Sequence, residues 1–592
     1  MKNSLPLWDL SDFYAHLNDP QIEKDLSEIL KKTLNFEATH KGKLAKPLDA
    51  NNLAGAIQEY EHIYETLGKV QSYAGLNYYT CLETPEVMAF FQKVQEVSTN
   101  CQVHLLFFEL EINQISEDVL KEAISSNELL QKYKPWLDQV RSFLPHQLSP
   151  DLEKLMTEKS LTSRAAWVRL YDEHQASLKF KVDDEEHTLA TVTDLMSGRD
   201  ADLRQKAALA LSEGLEKEKN LLTLITNVLM KEKNIDDSWR KFEKPSHSRH
   251  LSNQIEPEVV AALHATVKSN YSTLSHRYYG LKAKLLGKDK IEYWDRNAPL
   301  PSSADQNISW DKAKEIVMGA YGTFSEELAG VAQNFFDKPW IDVPPYKGKT
   351  SGAFAHPTVP SVHPYLMLNY QGKTRDVTTL AHELGHGVHQ LLASKQGYFL
   401  SDTPLTLAET ASVFGEMLTF RALLNRASNN TLRMEILASK IDDMINTVVR
   451  QIAFYDFELQ IHEARAQGEI SYTRLCEIWL STQREALGPW VNVDDKVGNY
   501  WGYISHFIHT PFYVYAYAFG DCLVNSLYAV YQSRPQGFAE KYLELLKAGG
   551  SKKYTELLKP FDLNPGQSDF WQQGLNMITG LIDELESLMT HG

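Results

Sequence analysis

Apolar residues recur at three- and four-residue steps along most of this chain, while the strict alternation of a strand is scarce. In QIEKDLSEILKKTLNF, Ile22, Leu26, Ile29 and Leu30 make one such stripe, and Leu34 extends it by a turn. The same period runs through Leu203–Lys233 and Leu432–Gln460, which predicts a mainly α protein of long helices. At 592 residues the chain is longer than one hydrophobic core usually serves, so more than one substructure is expected.

Sixty Lys and Arg against 77 Asp and Glu give a formal charge of −17, which opposes binding to nucleic acid and to anionic lipid. The opening MKNSLPLWDLSDFYAHL has no basic segment leading into an apolar core, so no export signal is expected. Apolar runs such as HLLFFELEI carry charges and fall short of the roughly 20 residues of a spanning helix, so no membrane partner is expected. Cys81, Cys101, Cys476 and Cys522 form no CxxC pair, which reads as four buried thiols in a reducing, cytoplasmic compartment.

Pro, Gly, Ser and Asn cluster at Lys244–Asn253, Asn297–Asp305 and Pro339–Pro364. The last of these leads into the β-leaning run PYLMLNYQGK, which predicts a small sheet beside the helix that follows. That helix, DVTTLAHELGHGVHQLLA, places Val377, Leu380, Leu384, Val388 and Leu391 at helical spacing, with Asp376 suited to cap it. It carries His382, Glu383 and His386 as H-E-x-x-H. Two imidazoles four residues apart project from one face and suit two positions on zinc, while Glu383 is placed to act as general base on the attacking water.

A third ligand is needed. A metzincin would have Gly at 389 and His at 392, but this chain has His389 and Leu392. His389 lies about 10 Å along the axis from His382, too far to share a metal with it, and reads as a supporting or structural residue. In LTLAETASVFGEMLTFRAL, read as one amphipathic helix, Glu409 stands among apolar residues and requires a partner. Zinc is the natural one. Glu416, on nearly the same face, can orient a ligand histidine through its free N–H.

Several segments then resemble oligoendopeptidase F, within the wider thimet oligopeptidase family: LPLWDLSDFY, GKTSGAFAHP, HPYLMLNYQGKTRDVTTL, HELGHGVHQ, LAETASVFGE and HFIHTPFYVYAYAFG. The resemblance spans nearly the whole length. It implies an N-terminal helical domain over residues 1–200 and a catalytic zinc domain over 201–592, as two helical halves around a deep channel. It also implies one zinc ion per chain and oligopeptide substrates cut internally. Gly352, Ala353 and Phe354 match the family's extended segment that pairs with substrate backbone. His506 and Tyr515 match its late pair that contacts the scissile carbonyl and the oxyanion, with Tyr513 and His509 as neighbouring candidates for substrate contact. Two rivals remain from the residues themselves: a zinc exopeptidase, for which neither Arg375 nor Arg421 makes a convincing terminus clamp, and a peptide-binding protein with a structural metal. Intact Glu383 disfavours the second.

Overall fold

The computed structural model describes residues 5–44, 48–301 and 307–591; of the break at Asn297–Asp305, residues 302–305 lie outside these. Helices dominate, as the periodicity predicts. The first, Pro20–His40, starts where Asp19 accepts the Gln21 N–H and Pro20 presets the first turn. Its buried face is Ile22, Leu26, Ile29, Thr33 and Phe36, so the stripe advances by alternating steps of four and three. That rhythm passes through Thr33, and Leu34, expected in the stripe, is 45% exposed.

The chain divides into two compact units, each assembled from three separate stretches: Met1–Leu144, Asp305–Ala422 and Arg534–Asp562 in one, and Pro145–Ala304, Leu423–Ser533 and Leu563–Gly592 in the other. A linear cut at residue 200 does not separate them. In the first unit the helices Pro20–His40, Ala50–Thr80 and Pro85–Ile112 pack on one another. Phe36, Tyr60 and Phe108 interlock there, with ring centroids 4.7–5.7 Å apart.

The same unit holds the predicted sheet, of three short strands. Tyr365–Met367 is central, parallel to Ile341–Asp342 and antiparallel to Phe354–His356. Phe354–His356 is therefore an edge strand, and it packs against the helix Thr374–Ala393. The Phe354 ring is taken up by Tyr79 (5.2 Å) and Trp8 (6.5 Å). Gly352 enters this strand at φ +85°, a left-handed conformation that glycine adopts without strain.

In the second unit, the run read as Leu203–Lys233 is two helices, Ala201–Lys217 and Lys219–Trp239, which meet at Glu218. The run Leu432–Gln460 is Asn430–Ile445, a π-helical turn Asn446–Arg450, and then Gln451–Gln467. Periodicity alone could not register either interruption, because both leave the apolar rhythm nearly intact. All four cysteines are free thiols, but only Cys101 and Cys522 are buried; Cys81 and Cys476 are half-exposed. Among the described residues no helix is long and apolar enough to cross a membrane.

Candidate metal centre

The helix Thr374–Ala393 begins two residues before Asp376. That carboxylate sits in the first turn rather than at the cap itself, accepting the N–H groups of Gln371 (2.8 Å) and Lys373 (3.0 Å). A second helical stretch approaches this helix closely: a Cβ on Gly385 would overlap the Ala411 carbonyl oxygen and stand 2.6 Å from the Ser412 Cα. A Cβ on Gly387 would stand 2.7 Å from the Phe335 ring. Small residues at these positions let the backbones meet.

The stretch 405–423 is not one helix. It consists of Leu405–Ala408 and Thr410–Arg426, and Glu409 stands at the break with φ −83° and ψ 0°. The interruption turns its carboxylate onto the histidines. Glu409 Oε2 is 3.3 Å from His386 Nε2 and 3.5 Å from His382 Nε2, and Ser412 Oγ donates to the same oxygen at 2.7 Å. Metal–ligand bonds of 2.0–2.2 Å at tetrahedral angles separate ligand atoms by about 3.3–3.6 Å, so both separations match edges of a zinc tetrahedron. These three residues form the group able to hold a metal among the described residues.

Glu416 Oε2 lies 3.3 Å from His382 Nδ1, which leaves Nε2 of that imidazole facing Glu409. The charges are arranged for a cation. Burial lowers the pKa of His382, but Glu416, Glu409 and Glu383 outweigh it and raise the imidazole to about 9. Burial of Glu409 is likewise overcome, by the His386 hydrogen bond and both imidazoles, which bring its carboxyl down to about 2. Three carboxylates thus face two imidazoles, a donor set that fits a divalent ion. His389 is outside it: fully buried, with burial and the His386 charge pushing its pKa down to about 3.

Glu383 is buried beside these ligands, and desolvation raises its pKa against the pull of His382 and His386. The Ala355 N–H, on the edge strand, is directed at its carboxylate. Gly352–Phe354 therefore lead into a strand whose backbone reaches the predicted base.

The His506 segment belongs to the second unit. His506 Nε2 is 3.1 Å from the Tyr517 hydroxyl, and the Tyr513 ring stacks 6.3 Å from His506. Burial and the positive charge of Arg450 lower the His506 pKa. Tyr515 is placed differently from its predicted role. It is 0% exposed, and its hydroxyl accepts from Asn253 Nδ2 at 2.8 Å beside His250 Nδ1 at 3.2 Å. The helix Tyr515–Ser533 starts here, so Tyr513 and Tyr517 share a side and Tyr515 turns inward. Tyr517 is the tyrosine bonded to His506, a pairing that the alternation of three tyrosines does not reveal because it does not show where the helix begins. His509 is paired with Asp172 at 2.7 Å.

Comparison with known proteins identifies the family. The model of Peptidase family M3 matches residues 194–577 and that of Oligopeptidase F residues 111–180. Oligopeptidase PepF of Bacillus subtilis is 25% identical over 98% of this chain and 87% of its own length. An oligoendopeptidase F homolog of Lactococcus lactis is 26% identical over 99% and 97%. The crystal structure of oligoendopeptidase-F from Enterococcus faecium has the same fold, with a TM-score of 0.73 and 22% identity over 96% of this chain and 99% of that one. The grouping expected from the thimet oligopeptidase resemblance is this one, and the chain belongs to peptidase family M3.

Proposed function

We propose that this peptidase is a zinc-dependent endopeptidase that cuts short, unstructured oligopeptides. The observation that carries the reading is the convergence of His382, His386 and Glu409 beside Glu383 and the edge strand Phe354–His356. His382 and His386 would hold the ion through Nε2 and Glu409 through Oε2. When bound, the metal supplies Lewis acidity at the scissile carbonyl.

The protein groups divide the rest of the work. Glu383 takes a proton from the attacking water and returns it to the leaving amine; its raised pKa suits a group that must both accept and release a proton. Glu416 fixes the orientation of His382. An extended peptide pairs its backbone with the free edge of Phe354–His356, which tolerates many side chains because the contacts are to main chain. His506, with Tyr513 and Tyr517 in place of Tyr515, supplies polar hydrogens to the developing oxyanion.

Edge pairing also sets the substrate class. A segment inside a stable domain would first have to unfold, at a cost of about 5–15 kcal/mol that one short strand cannot offset. The names of the relatives, oligopeptidase and oligoendopeptidase, favour the same class. The test is mass spectrometry of the products from a mixed library of peptides blocked at both ends, with and without a chelator. Internal cleavage that stops with chelator and returns with zinc is expected. Intact blocked peptides would replace this reading with an exopeptidase. Rapid digestion of the same sequences inside a stable domain would remove the restriction to unstructured substrates.

A further inference from the structure

His382 and Glu416 sit on different helices, yet their side chains meet at 3.3 Å, so the spacing of the two backbones has to be held. A third helix of the same unit, Trp310–Phe324, packs on Thr374–Ala393 and brings Tyr321 to that junction. Tyr321 is 0% exposed. Its hydroxyl donates to the Ala381 carbonyl at 2.7 Å, one residue before His382. The same hydroxyl lies against Gly415, one residue before Glu416: a Cβ there would overlap it and stand 2.7 Å from the ring carbon that bears it. Burial and the Glu416 charge raise the Tyr321 pKa, which keeps the phenol protonated and a donor.

Buried tyrosines elsewhere in the chain also bond backbone carbonyls, because an interior phenol needs an acceptor. Tyr500 donates to Ala208 at 2.8 Å and Tyr278 to Ala438 at 3.0 Å. Tyr321 differs in what its oxygen touches. The groups on its two sides belong to separate helices, and each adjoins one member of a hydrogen-bonded side-chain pair.

Tyr542 repeats part of this pattern at Glu409. It is 1% exposed on the helix Phe538–Ala548, and it donates to the carbonyl of Thr410, the residue after Glu409, at 2.8 Å. Its ring lies 4.5 Å from Phe414 and 5.5 Å from Phe324, which is one turn from Tyr321 on the same helix. The carbonyls beside His382 and Glu409 are thus both held by buried phenols, from helices that carry none of His382, His386 and Glu409.

We propose that Tyr321 is a positioning residue of the metal centre, whose hydroxyl spaces the helix of His382 from the helix of Glu416 and so fixes the bond between those two side chains. It is hydrogen-bonded to one backbone and packed on the glycine of the other. Without it the two backbones lose their common stop. The contact between His382 Nδ1 and Glu416 Oε2, already long for a charge-assisted bond, then loosens first. The proposal rests on the metal reading above.

The experiment uses the full-length chain, stripped with a chelator and titrated with zinc against a chromophoric competitor. Wild type, Tyr321→Phe, Glu416→Gln and the double variant are compared. Tyr321→Phe should weaken zinc binding roughly 3- to 10-fold, less than Glu416→Gln does. In the Glu416→Gln background the same change should cost less than about twofold, because the bond it supports is already gone. Cobalt(II) in place of zinc gives a second readout: the d–d absorption of Tyr321→Phe should shift towards that of Glu416→Gln. Tyr500→Phe deletes a like buried bond in the second unit and should leave zinc affinity unchanged.

Wild-type zinc affinity and cobalt spectrum in Tyr321→Phe overturn the proposal. So does a loss of affinity as large in the Glu416→Gln background as in the wild type, because the hydroxyl then acts on the fold at large. Metal-free Tyr321→Phe that fails to fold, or a zinc loss shared by Tyr500→Phe, overturns it as well. The two readings are told apart by the wild type. Wild-type protein that binds no zinc ends the metal reading and this proposal with it, whereas wild type that binds zinc beside an unaffected Tyr321→Phe ends this proposal alone.

Discussion

His382 and His386 are fixed relative to each other by four residues of one helix, whereas His506 and Tyr517 are fixed by side chains that reach in from distant stretches of the second unit. Arg164 donates to the carbonyls of Ile508 (2.7 Å) and His509 (2.9 Å), and Arg249 to that of Pro511 (3.3 Å). Glu458 accepts the Phe512 N–H at 2.8 Å and thereby holds a non-glycine residue at φ +61°. His382, His386 and Glu409 therefore need only a helix and one break, at Glu409, to come together. The His506 segment needs long-range contacts, any of which can fail separately. Damage to the first region should remove chemistry at once; damage to the second should be graded.

The largest effect is expected at Glu383. Glu383→Gln should keep zinc and fold but lose roughly 10²- to 10⁴-fold in turnover, because an amide cannot accept the proton from water. Hydrolysis near the wild-type rate in zinc-replete protein would move the base elsewhere.

Glu409→Ala should cost zinc and activity together. Its loss of metal affinity should exceed the roughly 10- to 100-fold expected when Glu416→Gln removes the partner of His382. Metal titration of the two variants makes the comparison, and an inverted order would exchange the roles of the two carboxylates.

In the second unit, Tyr517→Phe and Tyr515→Phe should separate chemistry from folding. Tyr517→Phe should lower kcat roughly 10- to 1000-fold with little change in stability. Tyr515→Phe removes the acceptor of the buried Asn253 amide and should cost about 1–3 kcal/mol in denaturant unfolding, with the smaller kinetic effect. If Tyr515→Phe has the larger effect on kcat, the original assignment of that residue returns.

A pH dependence of stability, with no direct effect on the chemistry, is expected at Glu458. Burial raises this carboxyl from 4.5 to about 8, against the Phe512 N–H and the charges of Arg249 and Lys233. The folded state then binds the proton more tightly than the unfolded state, so stability is greatest below about 4.5 and declines as pH rises through about 8. Glu458→Gln keeps an acceptor for Phe512 and does not titrate, so the Tm of this variant should fall less between pH 5 and 8 than that of the wild type. Parallel Tm curves would show that Glu458 does not set this dependence.

These expectations also mark how far the sequence could be read. His382, Glu383 and His386 follow from a local helical period, and Glu409 from an isolated acid among apolar neighbours. The break that turns Glu409 onto the histidines was not legible, because LTLAETASVFGEM keeps an apolar rhythm across it. Leu34 was assigned to the core because periodicity fixes a face only to within about one position per turn. Three alternating tyrosines do not say where a helix starts, so neither the burial of Tyr515 nor the bond of Tyr517 to His506 was legible in them.

The sequence by itself determined the helical class and the placing of His382, Glu383 and His386 together on one helix, since each depends on residues within a few positions of one another. Tertiary structure alone decided which tyrosine joins His506 and how Glu458 holds Phe512. The physical reason is that burial and pairing of charge depend on contacts between residues tens to hundreds of positions apart, and no local period records them.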